Sequence, residues 1–146
     1  MRTILNGVDG SPSAGAALDF AIELCQDTGA KLEVLAVRPH LPARDRGLPI
    51  TDIESPAGAQ SIAERAAEVA LAAGVEAKAH VTHGSPAELI AESAGRLGAD
   101  LVVVGSRGLG TVSAVLMGSV SRWLVKHADV PVTIVTTHHD REPAAV

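Results

Sequence analysis

Leu101-Val102-Val103-Val104-Gly105-Ser106-Arg107-Gly108, followed after nine residues by Gly118-Ser119, joins an apolar run to a glycine-rich turn and then to a helix start. The run is β-rich and has no polar face, which suits a strand of a parallel sheet buried on both sides. The glycines begin at its carboxyl end. Gly105 and Gly108 remove side chains that would hold the backbone away from a ligand, and they permit turns closed to residues with a Cβ. Ser119 is the expected N-cap of a helix from Val120 to His127, whose first N–H groups lack partners within the helix and carry partial positive charge. A phosphate oxygen satisfies such groups. Ser106, Ser119 and Ser121 add hydroxyls and Arg107 adds a cationic fork, so the segment offers an anion both charge and hydrogen bonds.

Two other phosphate signatures fail on the same residues. Gly105 to Thr111 has the glycine spacing of a P-loop, but Gly110-Thr111 leaves no place for the lysine that reaches the terminal phosphates. Gly108-Leu109-Gly110 begins like a dinucleotide fingerprint, yet Ser113 stands at the third glycine position and the segment lies far from the first strand.

Outward from this segment the hydrophobic pattern predicts five strands separated by helices. Thr3 to Val8 is the first strand. Ser11-Pro12 opens a helix with Ala14, Ala17, Leu18, Ala21, Ile22 and Cys25 on one face, closing near Gly29. Leu32 to Val37 is the second strand and Gln60 to Ala73 the second helix. Between them, residues 38–59 hold four prolines and mixed charge, which reads as an exposed, mobile connection. Glu76 to Thr82 alternates like a sheet-edge strand, and Ser85 to Leu97 is a helix with Ser85 capping, Pro86 in the first turn and Glu88 placed for a capping box. Pro131 to Val135 ends the sheet, with proline where the loss of a ladder donor is cheapest. Strands alternating with helices imply one α/β domain over 1–146, a parallel sheet covered on both faces and a polar tail from about residue 137.

Composition bounds the function. With 12 Lys and Arg against 17 Asp and Glu, the net charge of −5 argues against broad attraction to nucleic acid or anionic lipid, so a phosphate ligand must be held locally. Aromatics are 1% of the chain, leaving Ala, Val, Leu and Ile to fill the core. No charged leader with an apolar run opens the sequence and no stretch has membrane-spanning length, so we expect a cytoplasmic protein. Cys25, the single cysteine, falls in the apolar face of the first helix and reads as a buried structural thiol. His80 and His83 point to opposite faces of a strand, and His138-His139 lies in the tail, so all four read as surface residues, not metal ligands. Glu64 and Glu68, with Arg65 nearby, read as a solvated helix face.

The spacing G-x2-G-x9-G-S/T in Gly105, Gly108, Gly118 and Ser119 resembles the ATP-binding signature of the universal stress protein family. The likeness covers most of the chain. Ile4 to Ser11 resembles the family's first strand and Asp-containing turn, Gly84-Ser85-Pro86-Ala87 its turn into the third helix, and Gly98 to Gly108 its fourth strand and loop. Gly118-Ser119-Val120-Ser121 and Ala128-Asp129-Val130-Pro131-Val132 resemble the end; only Arg38 to about Ala59 lacks a counterpart. The resemblance, with right-handed crossovers, implies strand order 3-2-1-4-5. That order reverses between the first and fourth strands, and open α/β sheets bind ligands at such a switch, which brings Asp9 and Gly105 to one site. The resemblance further implies that Gly105, Arg107, Gly108, Gly118, Ser119, Val120 and Ser121 surround the phosphates of ATP, accompanied by Mg²⁺ or Mn²⁺, that Asp9 lies near the ribose and Val37 near the adenine, and that two chains pair through their last strands as a homodimer. Asn6 departs from the usual apolar character of the first strand and calls for side-chain hydrogen bonds.

The expected role is a nucleotide-dependent regulatory or stress-response module. A slow ATPase or phosphotransferase on the same scaffold is the enzyme alternative, and it lacks an identifiable base beside the phosphate loop. A cyclic-nucleotide binder and a nucleotide-free dimerisation module are the others. The glycine and serine positions count against the last.

Overall fold

The computed structural model describes residues 1–40, 52–107 and 117–137. Its elements are β1 (Thr3–Val8), α1 (Pro12–Thr28), β2 (Lys31–Pro39), α2 (Pro56–Ala72), β3 (Ala77–Gly84), α3 (Pro86–Arg96), β4 (Leu101–Gly105), α4 (Ser119–His127) and β5 (Val132–Val135), with a 3₁₀ turn at Asp52–Glu54 before α2. The strands form one parallel sheet in the order β3-β2-β1-β4-β5, as expected.

Alternation along β1 and β2 assigns the two faces. Ile4, Val8, Val34 and Ala36 pack under α1 and α2 with Ala17, Ala21, Ala63 and Ala70, while Leu5, Leu35, Val102 and Val104 pack under α3 and α4 with Ile90, Ala94 and Leu124. Alanines on the helices let their backbones approach the sheet closely, so small aliphatic side chains fill a core almost free of aromatic rings. Cys25 is buried in the first layer, and desolvation pushes its thiol up to about 11, so it remains protonated and inert at neutral pH.

The ends of α1 match their sequence signals. The Ser11 hydroxyl accepts from the Ala14 N–H at 3.2 Å, Pro12 stands in the first turn, and Gly29 closes the helix at φ 78°, where a Cβ would be strained. Other ends differ. The Ser85 side chain makes no capping bond to α3, so no capping box forms with Glu88. Pro39 extends β2, and Ser55 caps α2 by accepting from the Gly58 N–H at 2.9 Å, so the connection expected over 38–59 is shortened at both ends. Its middle, 41–51, lies outside the described residues, as does the tail from 138.

Asp100 ties the starts of β1 and β4 together by accepting from the Arg2 N–H at 2.7 Å and the Thr3 N–H at 3.0 Å. Those two bonds hold its carboxyl below the ordinary value of 3.8. A depressed carboxyl contributes stability that is present above its unfolded value and is lost as pH falls through the folded one. Asp100→Asn is therefore expected to melt below the parent at neutral pH, with the difference closing as pH falls below 3.8. Thermal melts of both proteins at stepped pH check this; a gap that persists unchanged into acid contradicts it.

Candidate functional site

The sheet forks at its centre. β1 pairs with β4 only through Ile4↔Leu101, Leu5↔Val102 and Asn6↔Val103, although β1 runs on to Val8 and β4 to Gly105. Past Asn6 the two strands part, each still paired with its outer neighbour, and the crevice of the topological switch point opens between their carboxyl ends.

One wall is the turn after β1. Asp9 Oδ1 accepts from the Ser11 N–H at 2.9 Å, a local turn that sets the entry into α1, so Asp9 has the turn role its Asp-Gly-Ser context suggests and stands at the crevice. Val37 follows the last β1–β2 pair, Val8↔Ala36, so β2 carries it past the end of β1 on the same rim.

The other wall is the end of β4. Gly105 is required here by packing: a Cβ on it would lie 2.6 Å from the Ser13 carbonyl carbon and 2.7 Å from its oxygen. The first turn of α1 thus rests directly on β4. The Ser11 hydroxyl also reaches the Arg107 carbonyl at 3.5 Å, linking the two walls. Ser106 N–H donates to Val135 O at 2.9 Å, which continues the β4–β5 ladder to the start of the loop.

The helix start completes the site, one residue earlier than predicted. Gly118, not Ser119, is the N-cap of α4: its carbonyl accepts from the Arg122 N–H at 3.1 Å, and its own N–H donates to Ser106 O at 2.6 Å. Among the described residues no side chain caps the helix, and Ser119 is its first, exposed residue, followed by half-buried Val120. A serine in the first turn competes poorly for capping when the preceding glycine already adopts the extended cap conformation, here φ −63° and ψ 160°. Ser121 is buried, and its hydroxyl lies 3.1 Å from Gly105 O and 3.0 Å from Ser106 O. Its hydrogen bond therefore fastens α4 to the loop backbone. The turn carrying Asp9, the end of β4 with Gly105 and Arg107, and the start of α4 with Gly118, Ser119, Val120 and Ser121 meet at this fork, with Val37 on β2 just beyond its pairing with β1. The Val37 and Val120 side chains pack into the α3–α4 layer, and Gly108 lies outside the described residues.

Uncapped N–H groups at the start of α4, glycine backbone at both loop ends and a cationic Arg107 make the crevice suited to an anion with several oxygens. Among the described residues no group of three His, Cys, Asp or Glu side chains could hold a metal ion. Nor, among them, is any helix long and apolar enough to cross a membrane.

Sequence reading missed Glu33. It is buried in mid-sheet with His80 Nε2 at 2.6 Å from one carboxylate oxygen and Lys31 Nζ at 3.5 Å from the other. His80 is therefore the partner of a buried carboxylate and not a plain surface residue. The available signal was a glutamate interrupting Leu32-Glu33-Val34 in a strand otherwise apolar. His83 packs its ring edge-on to His40 with centroids 5.0 Å apart.

A family model described as "Universal stress protein family" matches residues 1–136. The chain is similar to universal stress protein YxiE of Bacillus subtilis, with 32% identity over 143 residues, 90% of this chain and 97% of that protein. A universal stress protein solved in complex with cAMP matches with TM-score 0.70 and 29% identity, covering 92% of this chain and 96% of that one. The universal stress protein of Archaeoglobus fulgidus solved in complex with dAMP matches with TM-score 0.69 and 25% identity over 92% of this chain and 97% of that one.

Proposed function

Because this chain belongs to the universal stress protein family, we propose that it binds ATP with Mg²⁺ or Mn²⁺ in the crevice between β1 and β4 and acts as a nucleotide-dependent stress-response module. The observation that carries this reading is the convergence of the Asp9–Ser11 turn, the glycine-ended β4 and the uncapped start of α4 on one fork in the sheet. In this reading the N–H groups of Ser119, Val120 and Ser121, the Ser119 hydroxyl, and the backbone of Gly105, Gly108 and Gly118 hold the phosphates. Arg107 neutralises their charge. Ser121 acts through the carbonyls it fastens, Asp9 meets the ribose, and the Val37 backbone meets the adenine. The divalent cation travels on the phosphates, which supply its oxygen ligands along with water.

Adenine nucleotides bound by similar proteins support the base and ribose part of the assignment. The cAMP complex also favours a second reading, a cyclic-nucleotide binder, which needs fewer phosphate contacts than this helix start offers. Isothermal titration with ATP·Mg²⁺, AMP and cAMP separates them. We expect ATP to bind with one site per chain and at least tenfold more tightly than AMP, a difference of about 1.4 kcal/mol. Tighter cAMP binding selects the second reading, and absence of all three heats rejects both. Trp123, which stacks on His127 with ring centroids 4.5 Å apart one turn into α4, gives a fluorescence signal that should saturate at the same ATP concentration.

The same reading includes a homodimer. β5 is ladder-paired to β4 along one edge, and its residues Val132–Val135 are only half-buried, so a second copy of β5 running antiparallel about a two-fold axis would satisfy the other edge. Light scattering at tens of micromolar is expected to return twice the chain mass; the mass of one chain contradicts it.

A further inference from the structure

Asn6 is fully buried in the central strand, on the face that β1 turns toward α1. Its Nδ2 donates to Val103 O at 2.9 Å. That bond also fixes the amide's orientation, since the flipped amide would set one carbonyl oxygen against another. Oδ1 is then left buried with no hydrogen-bond partner among the described residues. An apolar residue here would spare the fold that unpartnered acceptor, so stability alone does not account for an amide at this position.

Its location does account for it. Asn6↔Val103 is the last pair joining β1 to β4; beyond it come Gly7, Val8 and Asp9 on one prong of the fork and Val104, Gly105 and Ser106 on the other. We infer that Asn6 is a positioning residue of the nucleotide crevice: its amide pins β4 to β1 at the crotch of the fork and so sets the separation of Asp9 from the Gly105–Arg107 backbone. Ladder bonds alone allow the prongs to breathe from this point. A side-chain bond placed on the final pair limits where that opening starts, at the expense of one unsatisfied oxygen. The inference rests on the nucleotide reading for its functional consequence, but the pinning itself is measurable without ligand.

Asn6→Leu, which keeps asparagine's branching with two methyls in place of the amide oxygen and nitrogen, removes both the pin and the unpartnered oxygen. The melting temperature is expected to rise by about 2–4 °C. At the same time hydrogen exchange at Val104, Gly105 and Ser106 in the ligand-free protein should quicken at least fivefold, and the Kd for ATP·Mg²⁺ should rise at least tenfold. A buried polar group with only a structural role would not loosen one strand end while raising global stability. Unchanged exchange at residues 104–106, or a lowered melting temperature, overturns the inference. Asn6→Val is the second variant should leucine prove too large, and failure of both to fold also overturns it. If the parent protein does not bind ATP, the nucleotide reading fails on its own, while the exchange and melting measurements still decide whether Asn6 pins the fork.

Discussion

Gly105→Ala is expected to lower the unfolding free energy by about 3 kcal/mol and the melting temperature by roughly 10 °C. The cause lies within the fold. The added methyl would stand 2.6 Å from the Ser13 carbonyl carbon and 2.7 Å from the Ser13 Cβ and oxygen, in the first turn of α1, where no flexible side-chain end can yield. Relief requires α1 to lift from β4 or the end of β4 to bend, and either movement disturbs the Ser121 hydroxyl bonds and the Ser106–Val135 bond as well. Chemical denaturation of the parent and variant measures the effect. A loss below about 0.5 kcal/mol, the range of an inert surface change, contradicts the packing role.

Gly118→Val is expected to act in the opposite way, leaving the fold and removing the ligand. Gly118 has φ −63° and ψ 160°, extended backbone that any residue adopts, so its conformation does not call for glycine. Its place is the mouth of α4, where its N–H donates to Ser106 O at 2.6 Å. A valine side chain there would stand where phosphate oxygens meet the first N–H groups of the helix, and we expect ATP affinity to fall about a hundredfold, roughly 2.7 kcal/mol. The unfolding free energy should change by no more than the difference between glycine and valine as caps, about 1 kcal/mol. Gly118→Ala should fall between. Titration calorimetry on variants with native circular dichroism reads this directly, and parental affinity in folded Gly118→Val removes the position from the site.

The contrast between these glycines explains what the sequence could and could not tell. The β-rich run, the glycine spacing and the helix start marked the site because each is a local pattern with a local physical cause. Five strands alternating with helices likewise follow from short-range periodicity, and strand order needed only chain handedness and the family resemblance. Tertiary contacts were not legible. Gly105 and Gly118 look alike in sequence, yet contact with α1 dictates the first, while the second is the extended N-cap of α4. Ser119 and Ser121 both looked like phosphate donors, but the one-residue shift in the start of α4 leaves Ser119 exposed and turns Ser121 inward onto carbonyls. Glu33 and His80 are 47 residues apart and meet only through the β2–β3 register, which no local pattern encodes. Asn6 was visible as an anomaly in an apolar strand, while its bond to Val103 awaited the pairing of β1 with β4.

The most direct test is to follow backbone amide signals by NMR as ATP·Mg²⁺ is added. Binding in the fork predicts saturable shifts at Asp9–Ser11, Gly105–Arg107 and Ser119–Ser121, with the amides of Val69–Ala72 at the far end of α2 unmoved. Shifts confined to residues outside the fork, or none at millimolar nucleotide, would contradict it.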